Sequence, residues 1–370
     1  MTSQSPNKPT LVIFCTTKGW GGIEKNVRLR AKYFGEQGHL VYVVLLRNKF
    51  RERFEGLKNV TIHSVNERGG DLNILVLLSY VRFLKRVQPH TVFCPIKRDW
   101  WMATLAASIV GTPNKVMYLG NKRKIRKGLK YNLVFKTLKA KMIVNCLALK
   151  HHLTSTTNYF NETNLFQIYT GVTLPNLEGN TMDFRTKLDL EKNSVIVGCV
   201  GWLNYRKGFD LLPDIARKLP DNFHIVHVGS GGFDLDMEAL KANNADVMPR
   251  IHFLGFTNDM EAYWRGIDIF LLSSRSESLA NVLNEAMSFG KPIVATKAPG
   301  SDELLGNSEF GILTEIEDVP AMAQGILDLA NGTKAFDPEK QRARMAGPFS
   351  LGTMMKNYEA VFFPKSIESR

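Results

Sequence analysis

Short apolar runs alternate with amphipathic stretches along this chain, and that alternation restricts its fold more than any other feature. "TLVIFC" reads as a buried strand, "TTKGWGGIEKNVRLRAKYFGEQGH" as a glycine-rich turn into a helix ending near Gly38, and "LVYVVLL" as the next strand. Together they form one βαβ unit. Further strand candidates are "VTIHSV" (60–65), "HTVFCPI" (90–96), "KVMYLG" (115–120) and "KMIVNC" (141–146), separated by helical patterns such as "LNILVLLSYVRFLKRV" and "WWMATLAASIVG". Strands alternating with helices of this length imply a parallel sheet covered on both faces.

After "YTGVTLPNLEGNTMDF", a connector rich in Gly, Pro and Asn, the pattern repeats. Its strands are "SVIVGCVG" (194–201), "FHIVHVG" (223–229), "RIHFLG" (250–255), "IDIFLLS" (267–273) and "PIVATKAPG" (292–300). A chain of 370 residues that is 44% apolar can bury two ordinary cores. The expectation is α/β throughout: two facing doubly wound domains, with a ligand cleft at the carboxyl ends of their strands.

Charge divides the chain unevenly. Residues 1–180 carry 28 Lys and Arg against 9 Asp and Glu, whereas residues 181–370 carry 20 against 26. A basic half suits nucleic acid, an anionic membrane surface or a phosphorylated substrate. Its densest run is "NKRKIRKGLKYNLVFKTLKAK" (121–141), with Lys122, Arg123, Lys124, Arg126 and Lys127 ahead of Leu129, Leu133, Val134, Phe135 and Leu138. Basic residues interleaved with apolar ones at helical spacing suggest an amphipathic helix lying on anionic lipid headgroups, against the simpler reading of a solvated face. Nucleic-acid binding would need stacking aromatics among the basics, and Tyr131 and Phe135 alone do not supply a module.

No apolar run approaches the roughly 20 residues that span a bilayer. The opening "MTSQSPNKPTLVIFC" lacks a charged leader, which gives a cytosolic expectation. Cys15, Cys94, Cys146 and Cys199 lie far apart and suit reduced core thiols better than disulfides or zinc.

Three segments carry the chemistry. "GWGGIEKN" (19–26) places Gly21 and Gly22 between a strand and a helix start, where backbone N–H groups can meet a phosphate, although many loops need glycine only to turn. "GWLNYRKGFDLL" (201–212) sets Arg206 and Lys207 directly after a strand, a guanidinium and an ammonium suited to a diphosphate or simply to solvent. "SRSESLANVLNEAMSFG" (274–290) runs from a loop containing Glu277 into a helix containing Glu285 and closed by Gly290. Two carboxylates that accept from hydroxyls, with helix-start N–H groups between them for a phosphate, describe a site for a nucleotide sugar.

At this point the chain resembles the retaining glycosyltransferases of family four, enzymes of the GT-B fold. "ESLANVLNEAM" is similar to their E-x7-E motif and "GGIE" to their glycine-rich donor loop. "RKGFDLL" matches the phosphate-binding pair, and "EQGHLVYVV", "IVNCLALKHHL", "IYTGVTLP" and "ATKAPGSDELL" fall in the family's order. "KRDWWMATLAASIVGTP" resembles a version found in bacterial lipopolysaccharide and surface-glycan transferases, and "FSLGTMMKNYEAVFF" resembles the last helix, which crosses back to the first domain. The implied organisation is residues 1–178 as a basic acceptor-binding domain, 179–348 as a donor-binding domain, and 349–370 as the returning helix.

The resemblance also implies roles. Glu277 would bind the donor sugar's hydroxyls or support transition-state charge, and Glu285 would bind the ribose hydroxyls. Arg206 and Lys207 would grip the diphosphate and stabilise the leaving nucleoside diphosphate, approached from the other domain by Gly21 and Gly22. Ser278 and Leu279 would line the donor pocket, and Asn281, Val282 and Leu283 would offer backbone N–H groups. Lys97, Arg98 and Asp99 would lie on the acceptor side. Transfer would proceed with retention, from a UDP-sugar by family frequency, to a lipid-linked glycan acceptor, on the inner face of the cytoplasmic membrane. No metal or other cofactor is implied.

The chain also departs from the family. Gly201, Trp202 and Leu203 stand where Gly-Arg-Leu is common, Leu119 and Gly120 where many relatives have a histidine, and Ser278 where glycine or proline is frequent. A nucleotide-sugar 2-epimerase shares the fold and is the alternative enzyme; a non-catalytic glycan- or lipid-binding protein is the third reading. The basic first domain speaks against the epimerase, and the presence of Glu277, Glu285, Arg206 and Lys207 speaks against the non-catalytic protein.

Overall fold

In the computed structural model the chain divides into two compact units, one holding residues up to Ile168 together with those from Met355 onward, the other Tyr169–Met354. The structure describes residues 8–66, 73–122, 125, 128–231 and 234–364.

The first unit is built on β1 (Leu11–Cys15), β2 (Val41–Leu46), β3 (Val60–Val65), β4 (Thr91–Cys94), β5 (Asn114–Leu119), β6 (Lys141–Val144) and β7 (Leu165–Gln167). They pair in the order β3-β2-β1-β4-β5-β6-β7, all parallel. The sequence order reverses at β1/β4, the switch point at which ligands of such sheets bind. Every residue of β1 and β4 is buried, as the unbroken apolar runs require of a sheet covered on both sides.

The second unit holds β8 (Val195–Val200), β9 (Phe223–Val228), β10 (Ile251–Phe253), β11 (Ile269–Leu272), β12 (Ile293–Thr296) and β13 (Ile312–Thr314). Their order is β10-β9-β8-β11-β12-β13, again parallel, with the switch at β8/β11. Val197, Ile225, Ile269, Leu271 and Val294 from four of these strands pack with Leu212 and Ile215 into one buried cluster. The expected architecture of two doubly wound parallel-sheet domains is the one observed.

Two helices position the loops discussed below. Helix α1 (Gly22–Glu36) buries Val27, Ala31 and Phe34, one stripe at helical spacing, and its start is closed by Glu24, whose Oε2 accepts from the Gly21 N–H at 2.9 Å. Helix α2 (Asn281–Ser288) buries Leu283, Ala286 and Met287, which leaves Glu285 on a different face. A third, α3 (Leu351–Phe362), begins in the second unit and ends in the first. Its last turn is bound within the first unit: Arg30 Nη2 donates to the Tyr358 hydroxyl at 2.7 Å, Asn114 Nδ2 to the Val361 carbonyl at 2.8 Å, and Phe362 sits 4.9 Å from Phe93 between ring centroids.

Three features differ from the sequence expectation. The division falls at Ile168/Tyr169 and Met354/Met355 instead of after residues 178 and 348, because Val172 pairs with Ser350, and Asn284 donates to the Thr170 carbonyl, tying residues 170–172 and 350 into the second unit. The basic stretch 121–141 is not one long amphipathic helix among the described residues. A single turn at Leu129–Asn132 passes into a wide turn at Leu133–Thr137, which buries Val134 and Phe135 but leaves Leu129 90% exposed. Arg123, Lys124, Arg126 and Lys127 lie outside the described residues; Lys122 is described and exposed. Finally, β7 and β13 are three-residue edge strands too short to announce themselves by periodicity.

All four cysteines are buried with free thiols. No helix among the described residues is long and apolar enough to cross a membrane, and no cluster of three or more His, Cys, Asp or Glu among them could hold a metal ion.

Candidate active site

The best-defined polar cluster in the second unit lies where the loops after β8 and β11 meet. After β8 the chain turns through Tyr205–Lys207, capped by Asn204, whose side chain accepts from the Lys207 N–H at 3.0 Å. Gly208 follows with φ +70°, and a Cβ there would stand 2.1 Å from the Ser273 carbonyl oxygen. Only glycine permits both that backbone twist and so close a crossing of the two loops. Ser273 Oγ in turn donates to the Lys207 carbonyl at 3.0 Å.

Glu277 sits in the second of these loops and is 9% exposed. Lys207 Nζ donates to its Oε1 at 2.6 Å, Ser274 Oγ to the same oxygen at 3.0 Å, and Arg206 Nη1 reaches its Oε2 at 3.5 Å while donating to the Ser276 carbonyl at 2.9 Å. Burying a carboxylate this deeply costs free energy unless it is hydrogen-bonded, and these three side chains supply the bonds. Arg206 remains 47% exposed and Lys207 13%, so the pair presents one open and one enclosed cation beside an anion.

The rest of the candidate donor pocket follows α2. Ser278 and Leu279 are nearly buried, and Gly300, at φ +83°, lies so close to the Ser278 carbonyl that a Cβ would meet it at 1.7 Å, which fixes the loop before the helix. Asn281 and Val282 lie in the first turn, whose N–H groups have no acceptor within a helix. Leu283 departs from the expectation: its N–H donates to the Ala280 carbonyl at 2.9 Å and is not available to a ligand. Glu285 accepts from the indole N–H of Trp264 at 3.1 Å, and Trp264 is 1% exposed among Tyr263, Phe270 and Phe289.

In the first unit Gly21 and Gly22 open α1 at the carboxyl end of β1. The Gly21 N–H is already used by Glu24. Gly21 is extended, and a Cβ on it would meet nothing nearer than Glu24 Oε2 at 3.5 Å, so neither backbone nor packing within the chain demands glycine there.

Asp99 does not join an exposed acceptor surface. It is fully buried and accepts from Thr16 Oγ1 at 2.5 Å, tethering the end of β1 to the loop after β4. Lys97, with Nζ 5.8 Å from the Tyr131 ring, and the exposed Arg98 remain at the surface of that loop.

Sequence reasoning missed Ser274, Trp264, Arg275 and Asp210. Arg275 Nη1 and Nη2 bind Asp210 Oδ1 and Oδ2 at 2.6 and 2.7 Å, and both residues stand within a few positions of the motif residues. Proximity to those motifs was the one signal available in the sequence.

These sheets and loops define a GT-B glycosyltransferase fold. The crystal structure of Anabaena Alr3699/HepE in complex with UDP superposes with a TM-score of 0.79 over 94% of this chain and 98% of that one, at 19% sequence identity. Residues 194–332, a stretch that includes Arg206, Lys207, Glu277 and Glu285, match the family model described as Glycosyl transferases group 1. Among curated relatives, an uncharacterized glycosyltransferase of Haemophilus influenzae is 33% identical over 188 residues, 49% of this chain and 52% of its own length. The lipopolysaccharide core biosynthesis glycosyltransferase LpsE of Rhizobium meliloti is 28% identical over 176 residues, 47% of this chain and 51% of its own. The chain thus spans about half the length of the curated relatives it matches.

Proposed function

We propose that the protein is a retaining glycosyltransferase that moves a sugar from a nucleotide-sugar donor, a UDP-sugar, to a lipid-linked glycan acceptor in lipopolysaccharide or related surface-polysaccharide synthesis. The observation that carries this reading is the buried Glu277 held by Lys207 and Arg206 inside the stretch that matches the group 1 glycosyltransferases. A relative named for lipopolysaccharide core biosynthesis and a structural neighbour in complex with UDP are consistent with this choice of acceptor class and nucleotide.

In this reading Glu285, oriented by Trp264, accepts from the ribose hydroxyls, while Lys207 and Arg206 turn from Glu277 to the diphosphate. That exchange frees Glu277 to accept from the sugar's hydroxyls. The bond between the anomeric carbon and the phosphate oxygen breaks, the acceptor oxygen bonds to the same face of that carbon, and its proton passes to the departing phosphate. Lys207 and Arg206 then stabilise the nucleoside diphosphate leaving group, charge stabilisation by preorganised cations that needs no metal. Lys97 and Arg98 would meet the acceptor, and the run from Lys122 would rest on the inner face of the cytoplasmic membrane.

Glu285→Ala and Lys207→Ala test the reading directly. Each should abolish sugar transfer in a protein that stays folded, and full activity in either would remove the site assignment.

A further inference from the structure

Arg275 is the most heavily bonded side chain near this site, yet it points to none of the groups assigned to the donor. Its Nη1 and Nη2 form a fork on Asp210 at 2.6 and 2.7 Å, Nη1 also donates to the Tyr205 carbonyl at 2.6 Å, and Nε donates to Glu317 at 2.5 Å. The guanidinium carbon lies 3.7 Å from the centroid of the Tyr205 ring. Four of the five N–H donors of a guanidinium are committed by these bonds, so Arg275 has little left for a phosphate.

Its bonds instead stitch two loops together. Asp210 and Tyr205 flank Arg206 and Lys207, whereas Arg275 lies two residues before Glu277. The stitching continues through the backbone: the Arg275 N–H donates to the Arg206 carbonyl at 2.9 Å, and Arg206 Nη1 donates back to the Ser276 carbonyl at 2.9 Å. With its side chain 13% exposed between two carboxylates, Arg275 is held charged by Asp210 first and Glu317 next.

We propose that Arg275 is a positioning residue for the donor diphosphate. It locks the backbone that bears Arg206 and Lys207 against the loop that bears Glu277, so that an arriving diphosphate exchanges side-chain partners while the loops stay in place. The inference rests on the donor-site reading above and assigns to Arg275 the preorganisation that reading requires.

The test compares UDP with UMP, because Lys207 and Arg206 are assigned to the phosphates and should set the preference for two phosphates over one. Affinities for both nucleotides are measured for the full chain, for Lys207→Ala, for Arg275→Met and for the double variant. Arg275→Met should lower the UDP-to-UMP affinity ratio about tenfold, as Lys207→Ala does, and the double variant should lose clearly less than the product of the two single losses. Arg275→Lys keeps the charge beside Asp210 but cannot fork onto Asp210 and Tyr205 together. It should show the same loss of ratio if Arg275→Met fails to fold. An unchanged ratio in a folded Arg275 variant, with Lys207→Ala defective, overturns the positioning role. An unchanged ratio in Lys207→Ala overturns the donor-site reading, and the inference with it.

Discussion

Lys207 Nζ stands 2.6 Å from Glu277 Oε1, with both side chains largely enclosed. Removing one partner strands a charge that water reaches poorly. Lys207→Ala should therefore cost about 2–3 kcal/mol of stability, less than a fully buried pair because Ser274 and Arg206 still serve Glu277. Lys207→Met combined with Glu277→Gln should recover part of that loss, since neither charge is then left alone. Chemical denaturation of the single and double variants reads the difference; strictly additive losses would mean that the two side chains do not interact.

The two glycine positions should behave oppositely. Gly208→Ala forces a Cβ against the Ser273 carbonyl in a left-handed conformation and should destabilise by more than about 1–2 kcal/mol, the left-handed penalty alone. Gly21→Ala meets no such obstacle, and thermal melting should show it within about 0.5 kcal/mol of the parent. Weakened nucleotide binding in that stable variant would mark Gly21 as a ligand-approach position.

His227 gives the fold a pH dependence. It is fully buried on β9, its Nε2–H donates to the Gly201 carbonyl at 2.9 Å, and burial pushes its pKa down to about 4, only partly opposed by that carbonyl. The folded state keeps the ring neutral while the unfolded chain takes up a proton below its ordinary value of about 6.5. Stability therefore falls as pH drops from about 6.5 to about 4, by roughly 1.4 kcal/mol per unit from this group alone. His227→Gln should flatten the melting-temperature profile across that window.

Asp99→Asn separates a tether from an acceptor contact. Loss of the charged acceptor for Thr16 should lower stability by about 1–3 kcal/mol, with the KM for acceptor little changed. A raised acceptor KM at unaltered stability would restore Asp99 to the acceptor side.

The alternation of apolar runs and helical patterns made the doubly wound sheets legible, because a strand buried on both faces has to be continuously apolar, as in Leu11–Cys15. β7 and β13 carry too few residues for a period, whereas the equally short β10 was legible in "RIHFLG", and the domain break was obscured because the pairing of Val172 with Ser350 spans 178 positions. Arg206, Lys207, Glu277 and Glu285 could be picked out because each lies in a local motif. Trp264 could not, and Asp210 offered only its nearness to Lys207: the fold sets Trp264 beside Glu285 and Asp210 beside Arg275. Asp99 was assigned to the acceptor side by resemblance alone, and its burial against Thr16, 83 positions away, is a pairing no local pattern shows.

A nucleoside diphosphate bound at Lys207, Arg206 and Glu285 would stabilise the folded protein. Thermal unfolding of the purified protein with UDP, GDP, ADP and CMP, without added metal, tests it most directly. A ligand at about 100 times its Kd adds roughly 2.7 kcal/mol to the native state. The expected result is a rise of several degrees with UDP, lost in Glu285→Ala and in Lys207→Ala. No rise with any of the four nucleotides, or a rise that both variants retain, would contradict it.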